Sequence, residues 1–156
     1  IMSWSIPSWS KCLRAADLNG DGLDEVLSGV DTNHRQLIVY GSDGNVLWDA
    51  DLGGAVLSVA FADGRVHAGA SNGYVQCFQA DGRRIWHRFL AAPVIGLSPG
   101  EAGGCLVALG DGRVVALEDN GEIGWSGGGA AATAAAADPE HGIFVGRQDG
   151  TVECFA

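Results

Sequence analysis

The sequence is poor in positive charge and has no long hydrophobic run. Nine Lys and Arg stand against 19 Asp and Glu among 156 residues, which gives a formal net charge of −10. Such an acidic chain is a poor match for a nucleic-acid backbone or an anionic membrane surface, so neither is expected as a partner. No apolar run approaches the roughly 20 residues that span a bilayer, so no membrane insertion is expected. The sequence contains no basic segment followed by an apolar one, so no signal peptide is predicted from it.

Cysteine, methionine and proline are also scarce. One Met and four Pro accompany 25 Gly, and this glycine content argues against a helical bundle. The four cysteines are far apart in the sequence and lack the spacing of a metal site or a small disulfide scaffold. We therefore expect reduced core residues at Cys12, Cys77, Cys105 and Cys154.

The sequence does contain one motif that is repeated four times. Tryptophans recur about every 40 residues, and each of these three follows an Asp-Gly or Asn-Gly turn, the strongest short hairpin signal. Three strand-like runs, A to C, precede this turn or the equivalent position in each unit, and the run that carries the tryptophan follows it as strand D. Every unit therefore reads as four antiparallel strands. This period and strand count are typical of a propeller blade. The recurring tryptophans are Trp48, Trp86 and Trp125.

The predicted fold is an all-β propeller of four four-stranded antiparallel blades in one domain, residues 1–156. The expected repeats cover residues 10–52, 53–91, 92–129, and 130–156 together with 1–5. The Ala-rich tract 130–137 suits a helix by propensity. Its place in the repeat instead predicts the first strand of the fourth blade.

The two ends of the sequence read as parts of one blade. Residues 152–156 form a third strand without a fourth, and residues 1–5, which carry Trp4, form a fourth strand without a blade. We expect the N-terminal strand to close the last blade and remove its free edge. Exchange of this strand into an eight-bladed homodimer is favoured, a closed four-bladed monomer is the alternative, and a fragment of a longer propeller is the third possibility.

The segment Ala-Leu-Glu-Asp-Asn-Gly-Glu-Ile-Gly-Trp, residues 116–125, resembles the tryptophan-docking repeat of PQQ-like β-propellers. It is one residue shorter than the family form and lacks its Thr. The quinone belongs to members with a calcium site and stacking residues that this sequence does not match, so no PQQ is expected. The tryptophan set, Trp4, Trp48, Trp86 and Trp125, is interpreted as packing between blades.

Residues 17–26 are similar to the calcium loop of FG-GAP (VCBS-type) propeller repeats. Oxygen ligands suit Ca²⁺, and a bound ion would be structural, pinning the hairpin of the first blade. Glu25 stands where the family has Asp, Asp24 is an alternative ligand, and a solvated acidic turn is the competing interpretation. The resemblance also implies an extracellular or periplasmic location. The predicted ligands are the side chains of Asp17, Asn19, Asp21 and Glu25 and the carbonyl of Leu23.

The candidate ligand residues fall on the face built by the D–A connections and B–C turns. Trp9 breaks the period, and a core position is favoured over an exposed binding aromatic. The four histidines occupy unrelated repeat positions, which predicts no joint metal or catalytic site. The candidates on this face are Trp9, His34, Arg35, His87, Arg88 and Arg147.

The function that these patterns favour is a non-catalytic scaffold that binds protein or glycan on this loop face. The small residues of the first strands supply almost no acid–base groups to the centre of the ring, which disfavours catalysis. The alternatives are a propeller enzyme or its remnant, of the polysaccharide lyase or hydrolase type, and a purely structural or engineered repeat protein.

Overall fold

The computed structural model describes residues 9–31, 36–138 and 141–155, which fold into four antiparallel sheets. Blade 1 contains β1 (Ser10–Ala16), β2 (Glu25–Val30), β3 (Leu37–Tyr40) and β4 (Val46–Ala50). Blade 2 contains β5 (Val56–Ala62), β6 (Arg65–Ala70), β7 (Tyr74–Gln79) and β8 (Arg84–Phe89). Blade 3 contains β9 (Val94–Pro99), a 3₁₀ turn (Glu101–Gly103), β10 (Cys105–Leu109), β11 (Arg113–Leu117) and β12 (Ile123–Gly128). Blade 4 contains β13 (Ala132–Asp138), β14 (Gly142–Arg147) and β15 (Val152–Phe155).

Strands that are consecutive in the chain pair with each other throughout each sheet. The predicted all-β propeller of antiparallel blades is therefore confirmed, with three described strands in the last blade. Neighbouring strands pair in this way because tight turns connect them. In two of these turns Gly82 and Gly112 have φ of 88° and 93°, a region that favours glycine. Residues 1–5, the predicted closing strand, lie outside the described residues.

The core lies between successive blades. The innermost strands are neighbours, with β5 against β1 and β9, and β9 against β13. Aliphatic side chains fill each space, for example Leu27 and Val66 between blades 1 and 2, and Ala108 and Ile143 between blades 3 and 4. Each blade thus buries its apolar face only through its neighbours, as in other repeat folds.

The Ala-rich tract forms strand β13, as its repeat position predicts. Close packing of the inner strands explains why small residues occur there. A Cβ on Gly96 of β9 would lie 2.6 Å from the Cβ of Ala135 in β13. Larger side chains at this contact would separate blades 3 and 4.

The cysteines are all free thiols, as predicted, but they are not all in the core. Cys77 and Cys105 are buried and Cys12 is half-buried. Cys154 is exposed, because it lies on the side of blade 4 that no described blade covers. Among the described residues, no helix has the length and hydropathy needed to cross a membrane.

Candidate functional site

The repeated tryptophans dock on the C–D turn of the following blade. Trp48 Nε1 donates to the carbonyl of Ala80 at 2.9 Å, and Trp86 Nε1 donates to the carbonyl of Asp119 at 2.8 Å. Each ring lies over a glycine of the receiving turn, because a Cβ on Gly82 would fall 2.8 Å from Trp48. This confirms the prediction that these two tryptophans pack between blades.

Trp125 occupies the same position in blade 3 but has a different environment. The centroid of its ring lies 6.0 Å from that of the Phe155 ring, and the corresponding distance between Trp48 and Phe78 is 5.7 Å. It is 48% exposed, however, and within the described part of the chain its indole N–H has no acceptor. Trp4, the fourth predicted member of the set, lies outside the described residues.

The predicted calcium loop curls tightly through its own hydrogen bonds. Asp17 accepts from the amides of Gly20 (2.7 Å) and Gly22 (2.9 Å), and both glycines have positive φ. The backbone hydrogen bonds, that from Gly22 first, hold the pKa of the Asp17 carboxyl below its usual range. Asn19 Oδ1 accepts from the Asp21 amide at 2.8 Å.

The other predicted side-chain ligands of this loop lie close to one another, because Asn19 Nδ2 donates to both Asp21 Oδ2 (3.1 Å) and Glu25 Oε1 (3.4 Å). Asp21 Oδ1 accepts from the amide of Leu23, which is itself exposed. Glu25 is 2% exposed and accepts from the Leu18 amide at 2.9 Å. Among the described residues no three acidic, histidine or cysteine side chains are grouped so that they could hold a metal ion.

Those predicted ligand residues of the loop face that the structure describes do not converge on one site. Trp9 is 83% exposed, so the interpretation as a core residue is wrong. His87 is exposed beside Tyr74, at 5.9 Å between ring centroids. Arg88 reaches between blades and donates to the Gly121 carbonyl at 2.6 Å. His34 and Arg35 lie outside the described residues.

Arg147 is buried rather than presented on the surface. Its Nη1 donates to the carbonyls of Gly112 (2.8 Å) and Ala130 (2.7 Å), and its Nε donates to Glu153. The guanidinium therefore joins blade 4 to the B–C turn of blade 3 and to the connection between the two blades. Arg113 forms a similar tie one blade earlier, donating to the Leu90 carbonyl at 2.6 Å.

One side of blade 4 presents apolar side chains to solvent. Residues directly opposite each other on paired strands project to the same face. Ala136 pairs with Phe144 and Phe144 with Cys154, while Gly146 pairs with Val152, and none of these side chains belongs to the core shared with blade 3. Val152 is 72% exposed and Phe144 37%. We call the set Ala134, Ala136, Phe144, Val152 and Cys154 the outer face of blade 4.

A cavity of about 470 Å³ opens between blades 3 and 4 near their A–B turns. Leu106, Ala116 and Leu117 line it, and Glu118 and His141 stand at its rim. Both rim residues are solvent-exposed.

Sequence reasoning missed the burial of His67, which lies 1% exposed between blades 2 and 3. The repeat alignment carries a signal for it. The positions equivalent to His67 in blades 1 and 3 are Leu27 and Leu106, which pair in the same register with the strand that precedes the docking tryptophan. A histidine among leucines at one repeat position predicts a buried polar exception.

The sequence profile of a known family matches residues 20–147, most of the chain, and that family is described as outer membrane protein assembly factor BamB. A search of curated proteins found no match to the sequence.

Solved structures share the fold at low sequence identity. The computationally designed Ika4 protein is 19% identical with a TM-score of 0.77, covering 97% of this chain and 92% of that one. BBS1N, crystallised in complex with ARL6DN, is 15% identical with a TM-score of 0.73, covering 95% and 48%. BamB from Moraxella catarrhalis is 17% identical with a TM-score of 0.68, covering 91% and 44%. The chain thus spans nearly all of Ika4 but about half of the other two.

Proposed function

The chain belongs to the family of outer membrane protein assembly factor BamB, and we propose that it is a non-catalytic β-propeller module that binds protein. The observation that carries this proposal is the outer face of blade 4, where Phe144 and Val152 are exposed beside small alanines. Exposed apolar surface that continues across several strands is typical of a protein interface. BBS1N in complex with ARL6DN, a propeller-like neighbour with a protein partner, supports the same function.

The partner that we propose for this face is a second copy of the chain. Within the described residues β15 pairs only with β14, so its other edge is able to accept an added strand. Residues 1–5 of a partner chain would supply that strand, and two chains would then form one eight-bladed ring. The coverage of about half of BBS1N and BamB supports this size, while the match to the whole of Ika4 supports the competing closed monomer.

Light scattering coupled to gel filtration tests this proposal. We expect a mass twice the 16.0 kDa of one chain. Val152→Glu places a charge on the outer face and should return the monomer mass, whereas Ile85→Glu, at an exposed position of blade 2, should leave the dimer intact. A wild-type mass near 16.0 kDa at all concentrations would contradict the second copy as partner.

A second candidate function is protein or glycan binding on the loop face. The observation that favours it is Trp9, 83% exposed, because exposed aromatic rings provide large contact areas for ligands. A glycan-array screen of the wild type and Trp9→Ala tests it. Binding that persists unchanged in Trp9→Ala would exclude this residue as a contact.

We further propose that the loop of residues 17–25 binds a structural Ca²⁺. Its support is the concentration of oxygen-bearing side chains, from Asp17, Asn19 and Asp21, in one tight turn. Melting with Ca²⁺ and with EDTA tests this proposal: the ion should raise the Tm of the wild type but not of Asp21→Ala. An equal Tm in both buffers would contradict it. Periplasmic or extracellular location, suggested by the loop resemblance and the outer-membrane family, is part of the same proposal.

A further inference from the structure

His67 is the polar exception at a repeated apolar position. In blades 1 and 3 the equivalent residue is leucine, and in each of these blades the strand beside it leads to the docking tryptophan. His67 pairs with Cys77, and Cys77 pairs with Trp86. Because residues paired in this way share a face, the imidazole projects toward blade 3, beneath the docked Trp86.

The imidazole of His67 is enclosed without hydrogen bonds. It is 1% exposed, and neither Nδ1 nor Nε2 has a hydrogen-bond partner in the part of the chain that the structure describes. The Trp86 ring lies 5.6 Å from it between centroids. A buried polar group without a partner carries a desolvation cost that grows sharply when the group becomes charged.

Among the described residues, no carboxylate acts on this imidazole to compensate a positive charge. Arg65, two residues earlier on the same face of β6, contributes a positive charge that disfavours the protonated form. The thiol of Cys77 on β7 shares its face, and the Cys105 thiol on β10 belongs to the same interface; burial raises the pKa of both. Asp119, on the receiving turn of blade 3, is engaged by Arg65 at 3.8 Å.

The same side chains hold the two blades together. The Asp119 carbonyl accepts from both Trp86 Nε1 (2.8 Å) and Arg65 Nη1 (2.6 Å). Arg88 Nε adds a bond to the neighbouring Gly121 carbonyl. A charge on His67 would therefore arise directly under the contacts that dock blade 2 on blade 3.

We propose that His67 is an acid-sensitive switch: its protonation loosens the interface between blades 2 and 3 while leaving the interface between blades 1 and 2 closed. The interface between blades 2 and 3 carries His67, an ionisable residue, beneath Trp86. The interface between blades 1 and 2 carries Leu27, which cannot ionise, at the same position beneath Trp48.

The direction of the pH effect follows from burial. Burial, with a smaller contribution from Arg65, lowers the pKa of His67 to about 4 in the folded state, below the ordinary value of 6.5 that applies once the residue is exposed. The open or unfolded form thus binds the proton first. The contribution of neutral His67 is complete above about pH 6.5 and is lost as the pH falls from there toward 4; between pH 7 and 5 the opening equilibrium should rise roughly 20-fold.

Hydrogen exchange of the indole N–H groups, followed by NMR, tests the switch with an internal control. Trp86 reports the interface above His67, and Trp48, bonded to Ala80, reports the interface above Leu27. In the wild type the ratio of the Trp86 to the Trp48 exchange rate should rise roughly 20-fold between pH 7 and 5. In His67→Leu, which copies the other repeats, the ratio should stay constant. His87→Gln removes an exposed histidine of the same blade and should behave as the wild type.

Three results would overturn the proposal. They are a constant ratio in the wild type, an equal rise in His67→Leu, and a wild-type His67 imidazole that titrates at its ordinary pKa. If His67→Leu does not fold, His67→Gln, which keeps a polar side chain but takes up no proton, serves in its place. The direct titration of the wild-type imidazole needs no variant, and an ordinary pKa there overturns the proposal whether or not either variant folds.

Discussion

Trp86 and Trp125 are the same residue of the same motif in neighbouring blades, yet their environments differ. Trp86 lies over Gly121, donates to the Asp119 carbonyl and is held with Arg65. Trp125 is 48% exposed and packs mainly against Phe155. The docking geometry therefore belongs to a pair of consecutive blades and not to the motif alone. A blade becomes stable through the turn that the next blade supplies.

The difference extends to the whole of blade 4. The sheets of blades 2 and 3 are covered on both faces by their neighbours, and their central strands are almost wholly buried. In blade 4 the strand β14 alternates between buried and exposed residues, and most of β15 is exposed. The outer face of blade 4 thus has the apolar composition of the surfaces that pack between the other blades, but it is exposed to solvent.

Truncating the two tryptophans should break this comparison most clearly. Trp86→Ala removes a packed ring and its hydrogen bond to the Asp119 carbonyl and should lower the free energy of unfolding by about 3–5 kcal/mol. Trp125→Ala removes a half-exposed ring whose indole N–H has no acceptor among the described residues, and it should cost about 1 kcal/mol. Urea denaturation of both variants measures the difference. Equal losses would show that Trp125 is docked as firmly as Trp86.

Two turn glycines, one beneath a docked tryptophan and one not, offer a smaller contrast. Gly121 has φ of 81°, and an added Cβ would lie 2.7 Å from the Trp86 ring. Gly150, in the B–C turn of blade 4, has φ of 85° and no atom within 4 Å of that position. Gly150→Ala should cost only the backbone strain of about 1–2 kcal/mol. Gly121→Ala should cost about 1–3 kcal/mol more because it also overpacks the docking site. Thermal melts of both variants would reveal the gap, and its absence would mean that the ring moves aside freely.

The cysteines test the same difference between blade 4 and the covered blades through chemical reactivity instead of stability. Cys154 is exposed, whereas Cys105 is 1% exposed and burial raises the pKa of its thiol. Because the thiolate is the reactive form, iodoacetamide should modify Cys154 at neutral pH in the folded Val152→Glu variant, in which the proposed second copy does not cover the outer face of blade 4, and Cys105 only after unfolding. Mass spectrometry of a timed reaction identifies the modified residue. Labelling of Cys105 at the rate of Cys154 would show that blades 2 and 3 separate readily.

The fold was predictable because the repeat combines many weak local signals. The Asp-Gly and Asn-Gly turns, the alternating strands and the spaced tryptophans recur with the same spacing in successive units. This agreement also identified the tract around Ala135 as a strand against its helix propensity. Long-range periodicity here carries more information than any single segment.

The candidate ligand residues were less predictable. Arg147 was expected on the loop face because it precedes a turn, but the carbonyls of Gly112 and Ala130 lie within reach and take its guanidinium. Trp9 was expected in the core as an aromatic residue, and it is exposed. Whether a side chain near a turn faces a neighbouring blade or solvent depends on strand twist and on that neighbour, neither of which appears in local sequence.

The sequence by itself determined the number of blades, the strand order and the position of the docking tryptophans, because turn chemistry and side-chain alternation are local properties repeated four times. Only the tertiary structure decided which of these identical positions are buried. Trp86 and Trp125 differ through the blade that follows each of them, and His67 differs from Leu27 through an enclosure formed by residues distant in the chain. Burial, hydrogen-bond satisfaction and charge stability are properties of such pairs of blades, and the packing of one blade on the next creates them.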